Sequence, residues 1–325
     1  MPTHAVAVYL HLAIDAHGLD VLMADSIAMG RDTEAVAGIS PLELARQQAG
    51  PAAQRQCQAS LRHLEQVLRT VGPRRFGPPT GPTEAGYQQV GYQSTALLLA
   101  ARAVAAHTGV GTNPVLLAAF AVALARHTGI NPVLTVLPVS NRFRPGFAAT
   151  VSPVAQVSPC LLDVAGISFA AATGRAARAA MHAYKHAYYD PDRRLALIQQ
   201  VNRERGEEID ISCFFNDRRR YGRTQPAGPL GTGALATPAE VRAALPASQL
   251  RWITQPGLPR QRLYLNVNDA PEAIDLTMSA DTECLSTVDM EAIVRGIETV
   301  AVEMVTDPDG PTGVAAEAPV APAAG

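Results

Sequence analysis

Lysine is almost absent from this chain: 26 of its 27 basic residues are arginine and only Lys185 is lysine, an imbalance that reads as codon bias in a GC-rich genome. An excess of one charge sign is also missing. The net charge is -2 and the pI is near 6.4, so the composition carries no footprint for nucleic acid or for an acidic membrane. The four cysteines (Cys57, Cys160, Cys213 and Cys284) are scattered, without a CxxC pair or a zinc-like spacing to histidine. Unpaired thiols in a reduced, cytoplasmic setting are therefore the expectation. No stretch approaches the roughly 20 uninterrupted apolar residues of a spanning helix. The opening "MPTHAVAVYLHLAID" has no basic n-region and carries His11 and Asp15 inside its apolar run, so neither a secretory leader nor membrane insertion is expected. Common catalytic signatures are missing too. There is no GxSxG, SxxK or HExxH, and "GPLGTGALA" lacks the GK[ST] and the flanking strand and helix of a phosphate loop.

What remains is a globular composition, 47% hydrophobic and 17% charged, over 325 residues. That is enough chain for one large domain or two lobes. Between Ala5 and Asp15 the apolar residues alternate, with Val6, Val8, Leu10, Leu12 and Ile14 on one face and Tyr9, His11 and Asp15 on the other, which predicts a buried strand. Helical spacing follows at Leu19, Leu22, Met23 and Ile27, and a further helix is predicted from about Ala52 to Thr70. Proline and glycine crowd "GPRRFGPPTGPTEAG", a predicted linker. Ser94 or Thr95 then caps a helix stopped by Gly109, and Thr112 or Asn113 caps another stopped by Gly129, with Pro114 in its first turn. Strands are predicted in "NPVLTVLPVS", "IDISCFFN", "QRLYLNVND" and "AIDLTMSAD", and helices over 168–188 and from Thr287 to Val305. The pattern is mixed α/β, a sheet covered by helices.

Four residues of extended strand would place His11 and Asp15 roughly 13 Å apart, too far for a hydrogen bond unless the chain turns between them. Asp15 therefore needs a partner of its own, and an arginine fork is the usual one for a buried carboxylate. Arg142, in "VLPVSNRFRPG", is the best candidate. His182 and His186 have the i, i+4 spacing of a metal clamp, but no third ligand is evident, so no metal site is expected.

At these residues the chain resembles the condensation domains of nonribosomal peptide synthetases, which have the chloramphenicol acetyltransferase-like fold. Their HHxxxDG motif falls on "LHLAIDA", with Leu10 at the first histidine, His11 at the second, Asp15 at the aspartate and Ala16 at the glycine. "LRHLEQVLRTVGPRRFG", "STALLLAARAVAAHTGVGTNPVLLAAFAVALARHTG", "VSNRFRPGFAATVSPVAQVSPCLLDV", "AYKHAYYDP" and "IDISCFFNDRR" follow in the order those domains use, over residues 4 to about 305. The resemblance implies one nearly complete C-terminal lobe (94–305) and the tail of an N-terminal lobe (1–75) that carries the HxxxD motif. A linker (76–93) and a disordered tail (306–325) complete the expected organisation.

It further implies that His11 is the catalytic residue that positions or deprotonates an acceptor amine, and that Asp15 and Arg142 are a structural pair. Asn216 and Trp252 become candidate substrate-channel residues, although a lone tryptophan also suits a core or interface. Arg218, Arg219, Arg220 and Arg223 are either solvated loop charges or a surface for an acidic carrier protein. No bound cofactor is expected. The implied activity is amide formation between aminoacyl or peptidyl thioesters carried on the phosphopantetheine arms of carrier proteins, with those proteins or other synthetase modules as partners and a second chain completing the first lobe. A non-catalytic docking module and an acyltransferase with a hydroxyl acceptor are the alternatives.

Overall fold

Two short signals set the helical frame. Ser94 accepts the Leu97 N–H and starts a helix that ends at Gly109, and the next helix ends at Gly129; both glycines adopt φ 70°, the left-handed region that a helix stop favours. These helices, α4 (Thr95–Thr108) and α5 (Thr112–Thr128), are where the sequence expects them. The N-cap of α5 is Gly111, which has no side chain to cap with, rather than Thr112 or Asn113; the Asn113 amide donates to Asp217, at 3.0 Å.

The computed structural model describes residues 6–29, 38–81, 86–219, 235–253 and 261–315. It divides into two compact units, one of Met1–Gln66, Pro138–Ser158 and Tyr184–Val201, the other of Val67–Leu137, Pro159–Ala183 and Asn202–Gly325. The first three helices are α1 (Ala16–Met29), α2 (Pro41–Ala49) and α3 (Pro51–Thr70). Ser40 caps α2 through the Glu43 N–H, with Pro41 preset for the first turn. In the first unit Leu44, Phe147 and Val154 form a small buried core, joined by Ile39 and Tyr188.

The second unit is built on a seven-stranded sheet. In chain order the strands are β1 (Tyr87–Ser94), β2 (Val133–Val139), β3 (Gln156–Leu162), β4 (Cys213–Asp217), β5 (Gln249–Ile253), β6 (Leu263–Ala270) and β7 (Ala273–Asp281), and in space they run β3-β2-β4-β6-β7-β1-β5. β2, β4 and β6 pair in parallel, β6 with β7 and β7 with β1 antiparallel. The connecting helices are α6 (Phe169–Lys185), α7 (Pro191–Arg205), α8 (Pro238–Ala244) and α9 (Thr287–Thr306). α9 opens on a capping box in which Ser286 and Asp289 satisfy each other's backbone N–H groups. Phe120 of α5 and Phe215 of β4 meet with ring centroids 5.6 Å apart, in a core that also buries Tyr92, Leu97, Leu263, Leu265, Ile274 and Leu276. Among the described residues no single helix is long and apolar enough to cross a membrane.

Several expectations are corrected. Residues 6–10 join no strand ladder among the described residues, and residues 11–13 are a turn closed by the Ala13 N–H on the Leu10 carbonyl. Val6, Val8, Leu10 and Leu12 are exposed. Alternation defines two faces only where a neighbouring strand pairs with the segment, and among the described residues none does. Tyr87–Ser94, partly inside the expected linker, is the strand β1, held on both sides by β5 and β7. Of the expected tail, Thr312 is buried, and a bridge joins Pro311 to Ser168, which precedes α6. Residues 316–325 lie outside the described residues, as do Arg220 and Arg223 and most of "GPLGTGALA".

Candidate active site

Asp15 is 5% exposed and sits at the N-cap of α1, where its Oδ1 accepts the Gly18 N–H at 2.7 Å and its backbone carbonyl accepts the Leu19 N–H. Oδ2 accepts the N–H groups of Val154 and Ala155, both at 3.0 Å. The remaining partner is Arg142, whose Nη2 donates to Oδ1 in a buried ion pair. The same guanidinium donates to the carbonyls of Phe147 (2.9 Å), Thr150 and Ser152 (3.1 Å). The carboxylate is thus met by three N–H groups and one arginine, an environment that satisfies a buried charge from several directions.

Two residues that sequence reasoning did not place in the site shape it. Asn141, fully buried, takes φ 57° and donates to the carbonyls of Val154 (2.9 Å) and Ala187 (2.7 Å), while its Oδ1 accepts from Arg144. Asparagine is among the few residues that tolerate the left-handed region, and the bend it makes directs Arg142 from the end of β2 toward Asp15. Arg144 lies over the Tyr188 ring at 4.6 Å, and burial lowers its pKa while raising that of Tyr188. Gly18 is the second. A Cβ there would stand 3.0 Å from Ile14 Cγ1, 3.2 Å from Asp15 Oδ1 and 3.3 Å from Arg142 Nη2, so a side chain would require these neighbours to give by a few tenths of an ångström. Ala16, at the glycine position of the motif, is an ordinary first helical residue and needs no positive φ.

His11 is exposed, in the turn that precedes Asp15. The chain does turn between the two, but the histidine bonds elsewhere, with Nδ1 3.0 Å from the Ile14 carbonyl. A carbonyl only accepts, so Nδ1 carries the proton and the neutral ring presents Nε2 as its lone-pair nitrogen.

The other candidates lie in the sheet of the second unit. Asn216 on β4 donates to Asn266 (3.0 Å) and Tyr264 (3.3 Å) of the adjoining β6. Trp252 is on the edge strand β5, opposite Val90, and is 43% exposed. Three strands separate β4 from β5, and the four strand spacings put roughly 19 Å between them. The structure does not bring Asn216 and Trp252 together. Arg219 is held by Asp217 in a two-pronged pair (2.9 and 2.6 Å) with both side chains buried, so it is not a solvated loop charge.

The fold is the chloramphenicol acetyltransferase-like α/β fold. Within that class it is the fold of condensation domains. VibH, a nonribosomal peptide synthetase condensation enzyme, superposes with a TM-score of 0.63 at 14% identity over 93% of this chain and 70% of that one. The first condensation domain of the calcium-dependent antibiotic synthetase gives 0.61 at 18% identity over 94% and 65%. A structure of condensation domain-mediated chain release from the enacyloxin polyketide synthase gives 0.61 at 18% over 92% and 58%. The chain therefore spans between 58% and 70% of the length of these solved proteins. No protein-family model matches the sequence, and no curated protein does.

Proposed function

We propose that this chain is a condensation-like acyltransferase that forms an amide bond between aminoacyl or peptidyl groups held as carrier-protein thioesters. The observation that carries the reading is His11 with its tautomer set by the Ile14 carbonyl, four residues before the buried Asp15–Arg142 pair. In the proposed step the acceptor amine attacks the thioester carbonyl carbon, a C–N bond forms and the C–S bond breaks. Nε2 of His11 takes the proton from the amine nitrogen and the departing sulfur leaves as a thiol or thiolate. Orientation of two tethered reactants supplies much of such a rate, and a positioned base adds about 10² to 10⁴. Asp15 and Arg142 touch neither reactant; they anchor the turn that carries His11. The phosphopantetheine arms arrive on the carrier proteins as substrate and are not a resident cofactor. Carrier proteins or other synthetase modules are the proposed partners.

A second reading is a docking module that holds such partners without catalysis. The exposed apolar side chains of Val6, Val8, Leu10 and Leu12, patterned for a strand and unladdered, favour it. In this reading a second chain pairs with that segment and completes the first lobe.

Both are tested with donor and acceptor carrier proteins charged with aminoacyl thioesters, by mass spectrometry of the product. Catalysis is expected to give an amide that falls at least 10²-fold with His11→Ala at an unchanged melting temperature. Carrier-protein binding with no amide, or a rate indifferent to His11→Ala, overturns the catalytic reading and supports docking. An ester formed preferentially with an alcohol acceptor overturns amide synthesis.

A further inference from the structure

Asn141 is fully buried and takes φ 57°, a conformation that asparagine tolerates and alanine does not favour. Its side chain ties together three segments of the first unit. The amide donates to the carbonyls of Val154 (2.9 Å) and Ala187 (2.7 Å), and Oδ1 accepts from Arg144 Nε at 3.1 Å. Glycine would permit the same backbone turn, but it would leave both carbonyls without this donor. One residue thus supplies a turn and a set of bonds.

Both end on Asp15. Through the backbone, the turn at Asn141 sets the direction in which Arg142, the next residue, reaches Asp15 Oδ1. Through the side chain, Asn141 holds the Val154 carbonyl, while the Val154 N–H donates to Asp15 Oδ2 at 3.0 Å. Arg142 and Val154 are two of the four groups on that carboxylate, the others being the N–H groups of Gly18 and Ala155. Asp15 follows directly on Ile14, which is buried and whose carbonyl lies 3.0 Å from His11 Nδ1. The peptide between them is planar, so a pinned Asp15 fixes the direction of that carbonyl, and the carbonyl fixes the tautomer of the imidazole.

We infer that Asn141 is a positioning residue for His11: it keeps the proton on Nδ1 and the lone pair of Nε2 available as the base. The inference rests on the acyl transfer proposed above, in which Nε2 takes the amine proton. Asn141 touches no reactant and acts only through Arg142, Val154 and Asp15. An imidazole released from the Ile14 carbonyl exchanges its proton between the two nitrogens, so the fraction with a lone pair on Nε2 falls. Loss of Asn141 therefore acts on turnover rather than on substrate binding, and a misplaced base lowers the rate by about 10- to 100-fold.

The test follows the ring nitrogens of His11 by NMR in the full chain grown with isotope-labelled histidine, the resonances being assigned by their absence in His11→Ala. At a pH where the imidazole is neutral, the unmodified chain is expected to show the Nδ1–H tautomer, and Asn141→Ala a mixture with the Nε2–H form. The same variant is expected to lower kcat for amide formation by about 10- to 100-fold and to leave KM within about twofold. Asn141→Gly, which keeps the turn but not the amide, is expected to fall between the two. Leu64→Val, in the buried face of α3, is expected to lower the melting temperature and leave the tautomer unchanged. An unchanged tautomer or an unchanged kcat in folded Asn141→Ala overturns the inference, as does a tautomer equally mixed in Leu64→Val. If Asn141→Ala proves unfolded by circular dichroism, Asn141→Gly decides, and an unchanged tautomer in it overturns the inference. If the unmodified chain forms no amide, the acyl-transfer reading falls, whereas the tautomer still shows whether Asn141 sets the imidazole.

Discussion

Arg142 and Asp15, 127 residues apart in sequence, form a buried ion pair in which each side chain also holds backbone: the carboxylate gathers three N–H groups and the guanidinium three carbonyls. Removing one partner leaves a charge without its counterpart. Arg142→Ala is expected to destabilise the protein by about 3–5 kcal/mol. Arg142→Lys, which keeps the charge but loses the planar fork, is expected to recover only part of that. Urea denaturation followed by circular dichroism measures both, and a loss below about 1 kcal/mol for Arg142→Ala would show that the pair does not hold this turn.

Gly18 should resist substitution although it lies inside a helix. Alanine there gains about 1 kcal/mol of intrinsic helix propensity, but its methyl would press on Ile14, Asp15 and Arg142 at 3.0–3.3 Å. The expected outcome is a net loss of about 1 kcal/mol for Gly18→Ala and a larger one for Gly18→Val. A gain in melting temperature for the alanine variant would contradict the close approach.

Asp289 sets an acid limit on stability. Burial pushes its carboxyl pKa up, but the Ser286 and Thr80 hydroxyls and their backbone N–H groups outweigh that and bring it down to about 2, from an ordinary 3.8. A depressed carboxylate contributes its full stabilisation above the unfolded pKa and loses it as pH falls through the folded one. About 2 kcal/mol should therefore be present at pH 5 and disappear between pH 4 and pH 2. Asp289→Asn should flatten that part of the pH profile, measured by denaturant titration at successive pH values.

The thiols should react unequally. Burial pushes Cys160 and Cys213 up to about 12 and also raises the half-buried Cys284, while Cys57 is buried as well. With thiolate scarce and access closed, an aromatic disulfide reagent at pH 8 should label Cys284 first and leave Cys160 and Cys213 untouched until denaturant is added. Rapid reaction of all four in the native protein would contradict this burial.

Much of the second unit is legible without coordinates, because the signals are local. The glycine stops of α4 and α5, the alternation of β7 over "AIDLTMSAD" and the amphipathic run of α9 are each contained within one element. β1 is less visible, since "YQQVGYQS" carries three glutamines and a glycine and becomes a strand through ladders on both sides. The segment 5–15 fails in the opposite sense. Its alternation is clear, yet periodicity says which side chains share a face and nothing about whether a neighbour exists to make the ladder.

By itself the sequence determined the α/β class, most of the helix ends and the motif that sets His11 four residues before Asp15. It also narrowed Asp15's needs to an arginine, because a buried carboxylate without one is costly whatever the fold. Only the tertiary structure decided which backbone donors complete that carboxylate, that Asn141 bends the chain toward it, and that Gly18 lets the helix approach. Apart from the local contacts of Gly18 with Ile14 and Asp15, these join residues far apart along the chain, and such neighbours are chosen by packing and hydrogen-bond satisfaction once the elements have been brought together.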